Sequence, residues 1–211
     1  PLLVTPRVAI ALHGRVIIDR DALDQDHKKY AHLAMRPYPE DQIEKTELPD
    51  GTEITLRPIK PEDEPMWLEL LGTCSRECIY ARFRYFFNWN THEVASRYCF
   101  IDYDREIAIV PEVVDENGKK QLLGVGRLIA DPDHDSVEFA VLIADDWQNR
   151  GIGGILTDNA IEIAKSWGLR KMIAMTTTDN KRMLNVFEKR GFKMTFDKHS
   201  DEVLVEYTFD N

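Results

Sequence analysis

Residues 136–168 read SVEFAVLIADDWQNRGIGGILTDNAIEIAKSWG. The first eight alternate and are rich in branched and aromatic side chains, which predicts a strand. From Gly151 onward, Ile152, Leu156, Ala160, Ile163 and Trp167 recur at helical spacing. The stretch is therefore strand, loop and helix, and the loop holds Gln148, Asn149, Arg150, Gly151, Gly153 and Gly154. No Ser or Thr stands ready to cap the helix. Its first N–H groups are left for a ligand, and the positive end of a helix favours an anion. Glycines there would let a phosphate approach the main chain, and Arg150 adds charge. The dinucleotide fingerprint does not fit, because position 156 is Leu. The nucleotide P-loop does not fit either, because Gly-Lys-Ser/Thr is missing. The plainer alternative is that the glycines serve turn geometry alone.

Alternation along the strand puts Val137, Phe139, Val141 and Ile143 on one face and Glu138, Ala140 and Leu142 on the other. A carboxylate beside Ala140 and Leu142 is expected to be poorly solvated, which strengthens a carboxylate as a base. The alternative is a carboxylate on a solvated face or in a salt bridge.

Working outward, KMIAMTTT (171–178) predicts a strand, and NKRMLNVFEKR (180–190) a helix stopped by Gly191. KMTFDK and EVLVEYTF predict a closing hairpin. Upstream, EIAIVPEVV (106–114) and QLLGVGRLIA (121–130) predict strands joined through Asn117-Gly118. TEITLRPI (52–59) predicts a strand, and KPEDEPMWLELLGTC a helix with an acidic first turn. A second helix is expected from near Ser75 to Phe87 and a third over Thr91 to Ile101. The order implies an α/β domain around a mixed, largely antiparallel sheet. Residues 1–40 hold a β-like stretch, VAIALHGRVII, a polar run, DRDALDQDHKKY, and a proline-marked exit. They are too few to own a core.

A net charge of −10 excludes a general grip on nucleic acid and is compatible with a basic protein partner. No apolar stretch is long enough for a transmembrane helix, and the N-terminus lacks a signal-peptide layout. The first residue is Pro, so a fragment or processed product is expected. Cys74, Cys78 and Cys99 are read as reduced packing thiols of a reducing compartment. The six histidines form no ligand spacing, so no metal is expected.

Gln148-x-x-Gly151-x-Gly153 between strand and helix resembles the acyl-CoA-binding motif of the GNAT acetyltransferase superfamily. FEKRGF (187–192) resembles that family's ending of the following helix. The resemblance covers about residues 52–209. It implies a GNAT fold with parallel strands splayed at the CoA site, and acetyl-CoA as co-substrate. It implies cofactor contacts at Asn149, Arg150, Gly151, Ile152, Gly153 and Gly154 for the pyrophosphate, and at Val141, Leu142 and Ile143 for the pantetheine arm. Asn180 matches an Asn near the thiol end, although it could equally cap its own helix. Phe187 is counted among the cofactor contacts by the same resemblance; it stands where many members carry a tyrosine acid, so that acid is missing.

VEFAVLIADDWQNRGIG resembles more narrowly the bacterial protein lysine acetyltransferases attached to an ADP-forming acyl-CoA synthetase-like module. The resemblance implies that Glu138 is the catalytic base and that the location is cytoplasmic. It implies a protein lysine as acceptor, with an acyl-CoA synthetase as partner. AHLAMRPYPE followed by LPDGTEITLRPIKPEDEP resembles the join to that module. Residues 1–44 are then a remnant of it and 45–211 the acetyltransferase domain. Two other functions stay open: acetylation of a small amine or a protein N-terminus, and a non-catalytic acyl-CoA sensor. RECIYARFRYFF (76–87) either borders the acceptor groove or is an amphipathic helix with solvated arginines. Trp147 is read as a packing residue.

Overall fold

The computed structural model describes residues 36–209 and two short strands before them. Those strands, β1 (Leu2–Val4) and β2 (Ala9–Ala11), pair antiparallel within the unit Pro1–Ala34. β2 falls in the expected β-like stretch. The polar run 19–30 lies outside the described residues.

Met35–Asn211 is a second compact unit. It holds a strand the sequence hid, β3 (Glu44–Glu47), which pairs antiparallel with β4 (Glu53–Pro58). Three helices follow: α1 (Glu64–Gly72), α2 (Arg76–Phe83) and α3 (His92–Cys99). Then come β5 (Glu106–Val114), β6 (Lys120–Leu122), β7 (Gly124–Ala130) and β8 (Ser136–Ile143). The chain ends with α4 (Ile152–Ser166), β9 (Lys171–Thr177), α5 (Lys181–Glu188), β10 (Lys193–Phe196) and β11 (Glu202–Thr208). The sheet order is β10-β11-β9-β8-β7-β5-β4-β3, with β6 on β5. Among the described strands only β8 and β9 pair parallel. This is the mixed, mostly antiparallel sheet expected.

QLLGVGRLIA is not one strand. β5 pairs with β7 up to Ile109↔Gly126 and with β6 from Glu112↔Leu122, so three steps on β5 oppose four on its partner. Pro111 lies in this interval. It has no N–H to give to a ladder, and a bulge is where a strand tolerates that.

One face of the sheet carries Leu128, Phe139, Met172, Ala174, Val203 and Val205, all buried in the same core as the apolar side of α4 and Leu184 and Phe187 of α5. The opposite face buries Ala108, Val110, Val125 and Leu142 under α1, α2 and α3. There Arg57 is buried between two carboxylates. Its guanidinium donates to Asp63 at 2.6 and 2.8 Å and to Glu112 at 2.7 and 2.9 Å. Lys120 donates to the other oxygen of Glu112 at 2.8 Å. Burial alone would raise the Glu112 carboxyl, but the bonds from Lys120 and Arg57 outweigh it and hold the group below its ordinary value.

Candidate active site

Ser136, Val137 and Glu138 pair with Lys171, Met172 and Ile173, and there the parallel ladder ends. Beyond Glu138 the two strands part. On the other side, β8 stays paired with β7 along its whole length. Ala144 donates to the Leu123 carbonyl at 3.0 Å, which sets the phase of that ladder. Alternate residues exchange bonds in antiparallel pairing. Leu142 therefore gives its backbone groups to β7, while Val141 and Ile143 turn theirs toward the gap. Of the three expected pantetheine contacts, two are left with backbone groups to offer. The Ile143 carbonyl already accepts from Gln148 Nε2 at 3.2 Å and Cys78 Sγ at 3.4 Å.

Gln148 joins the loop to its surroundings. Its amide also donates to Asp145 Oδ1 at 2.9 Å, and its oxygen accepts from Arg182 of α5. Asp145 in turn accepts from the Ser75 N–H at the start of α2. Asn149 and Gly151 both have positive φ, 62° and 90°. Gly151 is the N-cap of α4 with no side-chain cap bond, as expected from the missing Ser or Thr. The first N–H groups of α4 are thus without a capping side chain. Gly153 and Gly154 serve packing: a Cβ would lie 3.3 Å from Ile143 Cδ1 at the first and 2.8 Å from Arg190 Nη2 at the second. Arg150 stacks over Trp147, 4.6 Å from the ring, and lies 3.6 Å from Asp50. Trp147 packs against both cores, so it is a packing residue. An uncapped helix start bordered by Arg150, Arg182 and Arg190, beside a parted pair of strands, is built for a phosphate with a long amide arm.

Residues 69–192 match the family model described as the acetyltransferase (GNAT) family. The chain belongs to the GNAT acetyltransferase family. It is an acetyltransferase, and acetyl-CoA is its co-substrate. The GNAT chain is 28% identical over 145 residues to acetyltransferase PA5475 of Pseudomonas aeruginosa, covering 69% of this chain and 77% of that protein. Its fold is similar to the GNAT domain of S. lividans PAT, with a TM-score of 0.72 at 21% identity, covering 82% of this chain and all of that one. It is also similar to spermidine N-acetyltransferase from Vibrio cholerae in complex with CoA and spermine. There the TM-score is 0.55 at 20% identity, covering 72% of this chain and 92% of that one.

Asn180 caps α5 in this GNAT domain: its Oδ1 accepts from Met183 N at 3.3 Å, and its Nδ2 donates to Thr176 at 3.1 Å. Phe187 is only 2% exposed and packs between Phe139 and Phe192. Its ring belongs to the core. Ile152 is equally buried, so only its backbone can face a phosphate.

Glu138 is exposed, contrary to the poor solvation expected of it. The alternation of β8 holds, and of Glu138, Ala140 and Leu142 on this face only Leu142 is buried. Among the described residues Glu138 has no hydrogen bond or ion pair. One cationic influence on it is Arg82 of α2. Burial, and then Arg127, push Arg82 below the ordinary guanidinium value, while Tyr98 and Glu138 pull it back. The arginines of this segment are not simply solvated. Arg84 adopts a left-handed conformation, φ 63°, and ends α2 at Phe83, short of the expected Phe87. Its guanidinium reaches Glu202 at 3.2 Å.

Cys99 is fully buried, which pushes its thiol up to about 12. Neighbouring Cys74 lowers the Cys78 thiol against the opposing effect of burial. None of the three cysteines is in a disulfide.

Proposed function

We propose that the chain transfers acetyl from acetyl-CoA directly to the ε-amine of a protein lysine, with Glu138 as general base. One observation carries this reading. Glu138 is the last residue of the parallel ladder, at the mouth of the parted strands, and its carboxylate is exposed and unpartnered. An open mouth admits a lysine presented on a protein surface, whereas a small amine is better served by an enclosed pocket.

A solvated lysine side chain has a pKa near 10.4, so it must lose a proton before it attacks. Glu138, directly or through a water, takes that proton. The amine nitrogen then bonds to the thioester carbon. A backbone N–H of the Val141–Ile143 segment stabilises the oxyanion. When the intermediate collapses the C–S bond breaks, and the sulfur takes a proton from solvent or from the attacking amine. A thiol of pKa about 8.5 leaves without a dedicated acid, so a tyrosine at position 187 is not required.

The pyrophosphate is assigned to the backbone of Asn149–Gly154 with Arg150, and the thiol end to the neighbourhood of Asn180. We assign residues 1–44 to the remnant of a synthetase-like module, the location to the cytoplasm and the acceptor to an acyl-CoA synthetase. These assignments rest on the resemblance of AHLAMRPYPE and VEFAVLIADDWQNRGIG.

The test is incubation with acetyl-CoA and cell lysate, read by mass spectrometry for acetylated lysines, beside a parallel reaction with spermine. New acetyl-lysine sites that depend on Glu138 are expected. Turnover of spermine with no lysine acetylated would overturn the lysine reading. Acetyl-CoA binding with neither would make the domain a sensor.

A further inference from the structure

The register of the sheet sets one transverse row on the face that carries Glu138. Ile129 on β7 lies opposite Glu138, Glu138 beside Ile173 on β9, and Ile173 opposite Glu206 on β11. Apolar and acidic residues alternate across four strands. Ile129 is 44% exposed, and Met175, two residues beyond Ile173 on the same face, is 51% exposed. A cleft of about 440 Å³ continues the face past Met175 and Leu204 to Phe196 and His199. Glu206 is half-buried, and among the described residues it has no hydrogen bond or ion pair. Lys193 stands opposite it on β10 without forming an ion pair to it.

Two carboxylates without partners, set on either side of Ile173, ask for a cation. Two strand spacings separate their Cα atoms, roughly 10 Å, so their side chains can lean toward one guest between them. An isoleucine on either side of Glu138, Ile129 exposed and Ile173 half-buried, asks for hydrocarbon. A lysine supplies both, because its stem lies on apolar surface while its ammonium keeps polar company.

We infer that this row seats the acceptor side chain: the stem lies over Ile129 and Ile173, and Glu206 holds the ammonium while Glu138 takes its proton. The inference rests on the lysine reading above and adds Glu206 as the residue that selects for a charged acceptor. The division of labour is physical. Once Glu138 has removed the proton, the amine is neutral and Glu206 no longer holds it, so it is free to move toward the gap between β8 and β9.

The experiment is a titration of the full chain, saturated with CoA and labelled at isoleucine methyl groups, with Nα-acetyl-lysine amide. The uncharged Nα-acetyl-norleucine amide is the control. Ile→Val variants assign the Ile129 and Ile173 signals. Both signals are expected to move with the lysine compound and not with norleucine. Glu206→Gln is expected to weaken that binding by about fivefold, with Glu206→Asp recovering part of it and CoA affinity unchanged. No shift at Ile129 and Ile173, an equal response to norleucine, or unchanged affinity in Glu206→Gln would overturn the inference. The result is separable from the role of Glu138. A Glu138→Gln variant that keeps its turnover removes the base but not the seat. A failed titration with a dead Glu138→Gln variant removes the seat but not the base.

Discussion

The sheet has a covered half and an open half on the face that Glu138 occupies. From β4 to the end of β8 it lies under α1, α2 and α3. Leu142, Val125 and Val110 are buried there, and Arg57 is locked between Asp63 and Glu112. From Glu138 across β9, β11 and β10 the same face carries Ile129, Met175 and carboxylates without partners. Both halves contain charge beside apolar side chains. In the covered half Arg57, Asp63, Glu112 and Lys120 answer one another, and the result is stability. In the open half Glu138 and Glu206 have no such partner among the described residues, and we propose that this face receives the acceptor.

This contrast can be broken by mutation. The largest effect belongs to Arg57→Met, which removes the charged partner of buried Asp63 and leaves Glu112 with Lys120 alone, and should cost roughly 3–5 kcal/mol. Chemical denaturation reads it, and KM for acetyl-CoA in the surviving folded protein should be unchanged. Next comes Gly151→Ala. At φ 90° any Cβ is strained, and Pro49 lies 3.1 Å away. A loss of about 1–2 kcal/mol is expected, this time together with weaker acetyl-CoA binding by calorimetry.

A smaller effect is the acid slope. The folded Glu112 carboxyl titrates below its ordinary value. Its contribution to stability is therefore present above the unfolded pKa and lost as pH falls through the folded one. Denaturation midpoints should decline between about pH 5 and pH 2, and Glu112→Gln should flatten part of that decline. The smallest stability effect is expected in the open half. Met175→Ser should change stability by no more than about 0.5 kcal/mol while raising KM for a protein acceptor. A Met175 variant that unfolded like Arg57→Met would erase the distinction between the halves.

The strand, loop and uncapped helix start were legible in sequence because their signals are local. An uncapped helix start, the glycine spacing and the alternation of SVEFAVLI all lie within one stretch. β3 was not legible, because Glu44–Glu47 is a polar edge strand with no apolar face to announce it. The break at Leu123 was not legible as such, although Pro111 inside a strand run is a signal that could locate it. That Ile143, Met183 and Arg190 close on Gly153 and Gly154 was not legible, because nothing local announces those neighbours. Alternation gives Glu138 its face but not what covers that face. That depends on where α2 ends, and Arg84 ends it early. Glu206 had no signal at all, since its place beside Ile173 is a long-range register between β9 and β11.

The most direct test of Glu138 as the base is Glu138→Gln, measured twice on the same protein, for acetyl-CoA affinity and for turnover on an acceptor lysine. Unchanged affinity is expected, with a turnover lower by about 10²–10⁴-fold. Turnover near that of the unaltered chain would contradict the role of Glu138.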